Sequence, residues 1–144
     1  MYASQSGASA RLAHAAFGGA KAEIDDVRLL RCADAGAREV AASKGVLLVC
    51  AENSGRLAGQ AKDFLDRIFY PLHLASCCRP YALLVSAGND GTGAVAEAQR
   101  IMSGIPFTRS VEPLIIRGPA SERGCGQARE LGAAFAAGLS MGVF

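Results

Sequence analysis

The chain has 144 residues, of which 51% are hydrophobic, enough for one domain with a sizeable core and too few for two ordinary domains. Its net charge of +2 produces no field strong enough to indicate a nucleic-acid partner. The longest wholly apolar stretch, Val46 to Ala51, is far shorter than the roughly 20 residues of a membrane-spanning helix. The first residues also lack a basic, apolar targeting segment. We therefore expect a single domain over residues 1–144, cytoplasmic, with no nucleic acid bound and no membrane insertion.

In chain order, short aliphatic runs alternate with longer segments of helical periodicity. Helices are predicted at Ala8 to Ala16 with a stop at Gly18-Gly19, at Ala35 to Ser43, over the periodic apolar residues from Leu57 to Leu72 with closure at Tyr70-Pro71, at Gly93 to Ser103 and at Gly126 to Leu139. Strands are predicted at Val27 to Cys32, Val46 to Cys50, Tyr81 to Ser86 and Glu112 to Arg117. This alternation is typical of a parallel sheet covered by helices on both faces.

The start of the chain departs from that pattern. Only Met1-Tyr2-Ala3 precedes the first helix, whereas a doubly wound sheet places a strand of about five residues there. Either the natural chain begins upstream of Met1, which we favour, or the central strand is a stub.

The cysteines and histidines point to no metal or catalytic site. The five cysteines (Cys32, Cys50, Cys77, Cys78 and Cys125) are odd in number and show neither a CxxC motif nor a Cys/His spacing that suits zinc. Reduced thiols are therefore expected. His14 and His73 are isolated in helical segments without a nucleophile at a telling spacing, so we predict no catalytic side chain.

Three loops that lead into predicted helices contain the polar residues of interest, because ligands of open α/β sheets bind in the strand-to-helix loops at the carboxyl ends of the strands. The first loop consists of Ser4, Gln5, Ser6, Gly7, Ala8 and Ser9 and leads into a helix. Free backbone N–H groups, the helix dipole and serine hydroxyls can bind a phosphate there, although simple N-capping by serine explains the loop equally well.

The second and third loops are polar and rich in glycine. The second consists of Ala51, Glu52, Asn53, Ser54 and Gly55, and the third of Ser86, Ala87, Gly88, Asn89, Asp90 and Gly91. Each can hold the edge of a flat heterocycle, and each can equally be a solvated turn. The spacing G-x-G-x-x-G is absent, so a dinucleotide fingerprint is not predicted.

Taken together, these segments resemble the flavodoxin-like NAD(P)H-dependent FMN reductases and quinone reductases. The loop Ser4 to Ser9 resembles the family's phosphate loop, ENSGRLAGQAKDFLDRIFY (Glu52 to Tyr70) its second flavin loop and following helix, and RPYALLVSAGNDGTG (Arg79 to Gly93) its third flavin loop. The resemblance implies a three-layer α/β/α sandwich with a parallel sheet of order 2-1-3-4-5, its first strand truncated or nearly missing in this chain. Ala51 stands where the family often has a proline.

The resemblance also implies a cofactor and a reaction. FMN would bind with its phosphate at Ser4 to Ser9 and its ring between the other two loops, and the chemistry would take place on the flavin. Electrons would pass from NADPH or NADH to a quinone or free flavin, in a homodimer or homotetramer. A flavodoxin-type electron carrier without its own substrate, or a degenerate binding-only domain, are the alternatives. The net charge of +2, the absence of tryptophan and the absence of aromatic residues from both flavin loops favour the reductase.

Overall fold

The computed structural model describes residues 1–144 and contains five α-helices and five β-strands. The helices are α1 (Ala8–Glu23), α2 (Ala37–Ala41), α3 (Gly59–Leu74), α4 (Thr92–Gly104) and α5 (Glu122–Met141), and the strands are β1 (Val46–Asn53), β2 (Arg56–Leu57), β3 (Pro80–Ala87), β4 (Thr108–Arg109) and β5 (Leu114–Arg117). None of the helices combines the length and the apolar character needed to cross a membrane.

The sheet is mixed, and the prediction of a purely parallel sheet is wrong in this respect. β1 pairs with β3 in parallel along most of its length, and both β4 and β5 pair with β3 in parallel. β2 instead folds back on the end of β1 as an antiparallel hairpin. The hairpin arises because Ser54 and Gly55 both have positive φ, which is the backbone twist that a two-residue turn between strands requires.

The predicted strand at Val27 to Cys32 does not form a ladder. Tyr2 makes single parallel bridges to Arg31 on one side and to Val49 of β1 on the other. Residues 32–34 then form a short 3₁₀ turn. The segment Met1-Tyr2-Ala3, called the stub below, therefore lies between Arg31 and β1.

Two apolar clusters cover the two faces of the sheet. Alternate residues of the central strands enter different clusters: Leu48 of β1 and Leu83 of β3 belong to the larger one, and Val49 and Leu84 to the smaller one. The larger cluster is completed by α3 and α4, for example by the fully buried Phe64. The smaller cluster is completed by α1 and α5. The result is a three-layer α/β/α arrangement.

Two predicted helix ends are wrong. α1 runs through Gly18-Gly19 to Glu23, because Gly19 lies against the backbone of α5, where a side chain would not fit. α3 runs through Tyr70-Pro71 to Leu74. Pro71 lies in the last turn of α3, so the amide that it lacks removes only one late helical hydrogen bond.

Arg67 of α3 does more than the surface ion pair with Asp63 that its spacing predicts. Its Nη1 and Nη2 atoms donate hydrogen bonds of 2.8 and 2.6 Å to the carbonyl oxygens of Ala35 and Cys32. These bonds attach the 3₁₀ turn and its neighbours to α3. Lys62 also sits in an i,i+4 ion pair on α3, with Asp66, but contacts no other element through a hydrogen bond.

We expect Arg67→Ala to lower the free energy of unfolding by about 1.5–3 kcal/mol, because two carbonyls lose a charged donor. The matched variant Lys62→Ala should cost less than about 1 kcal/mol, as exposed ion pairs do. Urea unfolding of both variants measures the difference. Equal destabilisation by the two would show that Arg67 contributes only its ion pair.

Candidate functional site

A polar cavity of about 160 Å³ lies at the carboxyl ends of the central strands. It is lined by Ala3, Ser4, Gln5, Ser6, Ala8, Ser9, Ala51, Asn53, Ala58, Gln60 and Ser86. The parallel register pairs Ala51 with Ser86, so β1 and β3 end at the same edge of the sheet. The stub ends near this edge as well, because the Ala3 amide donates a hydrogen bond to the Val49 carbonyl of β1. Segments far apart in the chain therefore meet in one site.

The first loop wraps over the amino end of α1. Gly7 precedes the helix with φ of 95°, a conformation that glycine adopts without steric cost, and its amide donates to the Ser4 hydroxyl at 3.2 Å. The first amide of α1 that donates to a backbone carbonyl is that of Arg11, which forms a hydrogen bond to the carbonyl of Gly7. The amides of Ala8 and Ser9 have no partner in the protein, and the first turn contains no acidic residue. These two amides at the amino end of α1 are therefore free to donate hydrogen bonds to an anion.

The second loop is the β1–β2 hairpin. Asn53 ends β1 and pairs with Arg56, which places the turn residues Ser54 and Gly55 at the tip. Two further contacts fix the hairpin: the Leu57 amide donates to the carboxylate of Glu97 on α4 at 2.9 Å, and Gly93 of α4 lies directly against the Gly55 carbonyl. α4 thus sets the position of the hairpin.

The third loop joins β3 to α4 and is braced by Asp90. The Asp90 carboxylate accepts from both the amide and the hydroxyl of Thr92, at 2.9 and 2.8 Å, and these bonds lower the pKa of Asp90 below its usual value. Gly91 then enters α4 with φ of 76°. Asp90 therefore shapes the loop, and its carboxylate is engaged within it.

The cavity gathers part of the predicted set. Ser4, Gln5, Ser6, Ala8, Ser9, Ala51, Asn53 and Ser86 line it. The other predicted residues do not line it: Gly7, Glu52, Ser54, Gly55, Ala87, Gly88, Asn89, Asp90 and Gly91. They lie in the turns around it, at the start of α1, in the hairpin and between β3 and α4.

Sequence reasoning missed three lining residues. Ala3 belongs to the stub, and Ala58 and Gln60 flank the start of α3. Gln60 had a signal in the sequence, since a polar residue in the first turn of the helix after the second loop faces the same edge of the sheet. Ala3 and Ala58 carry no such signal, because alanine has no polar side-chain group and its residue type does not indicate a binding site.

The donor set suits a phosphate monoester. All residues that line the cavity are uncharged, and the polar groups that they present are hydroxyls and carboxamides. A phosphate can be bound by such groups together with the free amides at the start of α1, without a lysine or arginine. The cavity is smaller than a typical ligand pocket, which is roughly 300–1,000 Å³, so it fits one end of a larger molecule.

Comparison with known proteins gives matches at the level of structure only. No family model and no curated protein sequence matches the chain. An archaeal flavodoxin superposes with a TM-score of 0.81 at 16% identity, covering 96% of this chain and 95% of the flavodoxin. The flavodoxin of Megasphaera elsdenii gives a TM-score of 0.77 at 21% identity, covering 94% and 95% of the two chains. A WrbA-like flavodoxin protein of Agrobacterium tumefaciens gives a TM-score of 0.78 at 16% identity, covering 97% of this chain and 94% of the other. The protein therefore has the flavodoxin fold.

Proposed function

We propose that the protein binds FMN and uses it to pass electrons from NADPH or NADH to a quinone or free flavin. The observation that carries the proposal is the cavity in which the first loop, the end of β1 and the end of β3 meet. Among the structural neighbours are flavodoxins and a WrbA-like flavodoxin protein, which supports a flavin as the ligand. When bound, FMN would supply hydride acceptance and electron transfer.

The residues of the cavity would hold the phosphate end of the cofactor. The hydroxyls of Ser4, Ser6 and Ser9 and the free amides at the start of α1 would donate to the phosphate oxygens. Asn53 and Ser86 line the same cavity from the neighbouring strand ends, where they would orient the rest of the molecule. The flat ring would lie outside the cavity, between the hairpin and the loop before α4.

The composition of these two flanking loops favours a reductase. Neither Ala51–Leu57 nor Ser86–Thr92 contains an aromatic residue that could cover the ring. An uncovered ring face can receive the nicotinamide and the acceptor in turn, which would give ping-pong kinetics. The flavodoxins among the structural neighbours favour an electron carrier as the second candidate. We also propose that the protein forms a homodimer or homotetramer.

Phosphate recognition is tested by titrating the purified protein with FMN and with riboflavin, which lacks the phosphate. We expect FMN to bind at least about 100-fold more tightly, since two charge-assisted hydrogen bonds contribute about 3 kcal/mol or more. Equal affinity for the two flavins would contradict phosphate binding in the serine loop. Failure to bind either would overturn the flavin proposal altogether.

The reaction is tested on the FMN complex under anaerobic conditions, with NADPH, NADH and, as a control, dithionite. Rapid bleaching of the flavin absorbance by NADPH or NADH, followed by reoxidation with a quinone, is the expected result. Bleaching by dithionite alone would show the electron carrier instead.

A further inference from the structure

The polar cavity assigned above to a phosphate is lined by no charged residue. A phosphate monoester carries about 1.5 to 2 negative charges at pH 7. Hydroxyls and backbone amides can donate to its oxygens, but they leave its charge without a cationic partner. A cation at the rim of the cavity would therefore add to the affinity, and the stretch of chain that forms one wall contains a single one, Arg56.

Arg56 lies in β2, in the middle of this wall. Asn53 precedes it along the chain, Ala58 and Gln60 follow it, and all three line the cavity. Arg56 itself is exposed and lies outside the lining. β2 therefore borders the cavity from outside.

The hydrogen bonds of β1 show on which side of that strand β2 lies. The Val49 amide donates to the Met1 carbonyl and the Val49 carbonyl accepts from the Ala3 amide, so the backbone groups of Val49 face the stub. Strand residues two positions apart face the same side, so those of Ala51 do the same. The Ala58 amide donates to the Ala51 carbonyl at 2.9 Å. Ala58 and the preceding β2 therefore lie on the stub's side of β1, beyond the point where the first loop begins.

The register of the hairpin determines the face on which the Arg56 side chain lies. Arg56 is the cross-strand partner of Asn53, and cross-strand partners place their side chains on the same face. Asn53 lines the cavity, so the Arg56 side chain leaves the hairpin on the face of the cavity. Glu52 and Leu57 form the other pair, and Leu57 is buried in the larger cluster. The Glu52 carboxylate therefore lies on the opposite face of the hairpin.

The guanidinium of Arg56 has no partner within the protein. It takes part in none of the ion pairs and donates none of the arginine hydrogen bonds. Two nearby carboxylates are engaged elsewhere, since Glu97 accepts from the Leu57 amide and Asp90 accepts from Thr92. The five N–H donors of Arg56 are therefore free for a ligand.

We propose that Arg56 is the cationic ligand of the phosphate group, and that its side chain folds over the rim of the cavity to donate to the phosphate oxygens. This inference rests on the proposed function for the identity of the ligand as FMN, but it concerns the phosphate monoester alone. The planar guanidinium suits the role because its two parallel N–H groups match two oxygens of one phosphate. The site thus combines neutral donors inside the cavity with one positive charge at its rim.

The test compares the parent chain with Arg56→Gln, Arg56→Lys and a matched control, Arg117→Gln. Arg117 is likewise exposed and forms no ion pair, and it ends β5. β5 lies beyond β3, three strand positions or about 14 Å from β2. Each form is titrated with FMN and with riboflavin by fluorescence. The melting temperature of each flavin-free form is also measured in inorganic phosphate and in chloride at equal ionic strength.

We expect Arg56→Gln to weaken FMN binding by about tenfold or more, because a charge-assisted hydrogen bond is lost. Its affinity for riboflavin should stay that of the parent, and most of the rise in melting temperature that phosphate causes should disappear. Arg56→Lys should lie between the two, since lysine retains the charge without the planar fork. Arg117→Gln should match the parent, because exposed charges more than about 10 Å apart are largely screened at 0.1 M salt.

Unchanged FMN affinity in Arg56→Gln would overturn the proposal. An equal loss for riboflavin would also overturn it and would place Arg56 at the ring, and an equal loss in Arg117→Gln would show an effect of net charge alone. If the parent chain is stabilised by phosphate but binds neither flavin, the proposed function fails, and the phosphate response of Arg56→Gln by itself decides the role of Arg56. A parent chain that responds neither to phosphate nor to FMN would contradict both proposals.

Discussion

Replacing Gly19 by alanine is expected to lower the free energy of unfolding by about 3 kcal/mol, because overpacking of a tight contact costs roughly this much. A Cβ atom at Gly19 would lie 2.0 Å from the Arg129 carbonyl oxygen of α5. Backbone cannot rotate away as a side chain can, so α1 and α5 would have to separate. Gly132 of α5 makes the reciprocal contact with the Ala16 carbonyl, which leaves little room for adjustment. Thermal unfolding should show a melting temperature lower by about 6–12 °C.

Gly18→Ala is the matched control for this prediction. Gly18 is the preceding residue of the same helix, is exposed, and would have nothing within 4 Å of an added Cβ atom. Alanine is a better helix former than glycine, so this variant should be more stable than the parent by up to about 1 kcal/mol. Stabilisation by both substitutions would contradict the close approach of α1 and α5.

Replacing Gly93 by alanine is expected to weaken FMN binding by at least about tenfold, which corresponds to 1.4 kcal/mol. The added Cβ atom would lie 2.0 Å from the Gly55 carbonyl oxygen, so the hairpin tip must move away from α4. The same hairpin carries Asn53 into the cavity. Fluorescence titration of FMN measures the affinity, and this expectation depends on the proposed function.

Two further measurements make this second prediction specific. Gly126→Ala on α5 adds a methyl group in a helix where nothing lies within 4 Å, and it should leave FMN affinity unchanged. Urea unfolding of Gly93→Ala without flavin should show a loss of about 1–3 kcal/mol, which tests the contact independently of any ligand. If Gly93→Ala retains both the stability and the affinity of the parent, the packing of α4 on the hairpin does not position the site.

Local patterns in the sequence predicted most of the regular structure. The aliphatic runs at Val46 and Tyr81 formed the two central strands, because residues that alternate between two covered faces must all be apolar. Helical spacing likewise located α3, α4 and α5, although α5 begins four residues earlier than predicted. The hydroxyl-rich loop before α1 was recognisable because serines and a glycine cluster at a strand-to-helix junction.

Other features depended on contacts between distant segments. Gly18-Gly19 looked like a helix stop, since a glycine that ends a helix and one that admits a neighbouring helix are the same residue in a sequence; only the position of α5 distinguishes them. Arg67 looked like a surface residue because the carbonyls that it binds lie more than 30 residues away. The β1–β2 hairpin looked like a loop for a similar reason, as its position against α4 is set by Glu97 and Gly93.

The sequence by itself therefore determined the class of the fold and the loop at the start of α1, because periodicity and short polar motifs act over a few neighbouring residues. Only the tertiary structure decided which loops meet in one cavity and where helices pack closely. These properties belong to pairs of segments, and the free energy of their contacts depends on both members at once.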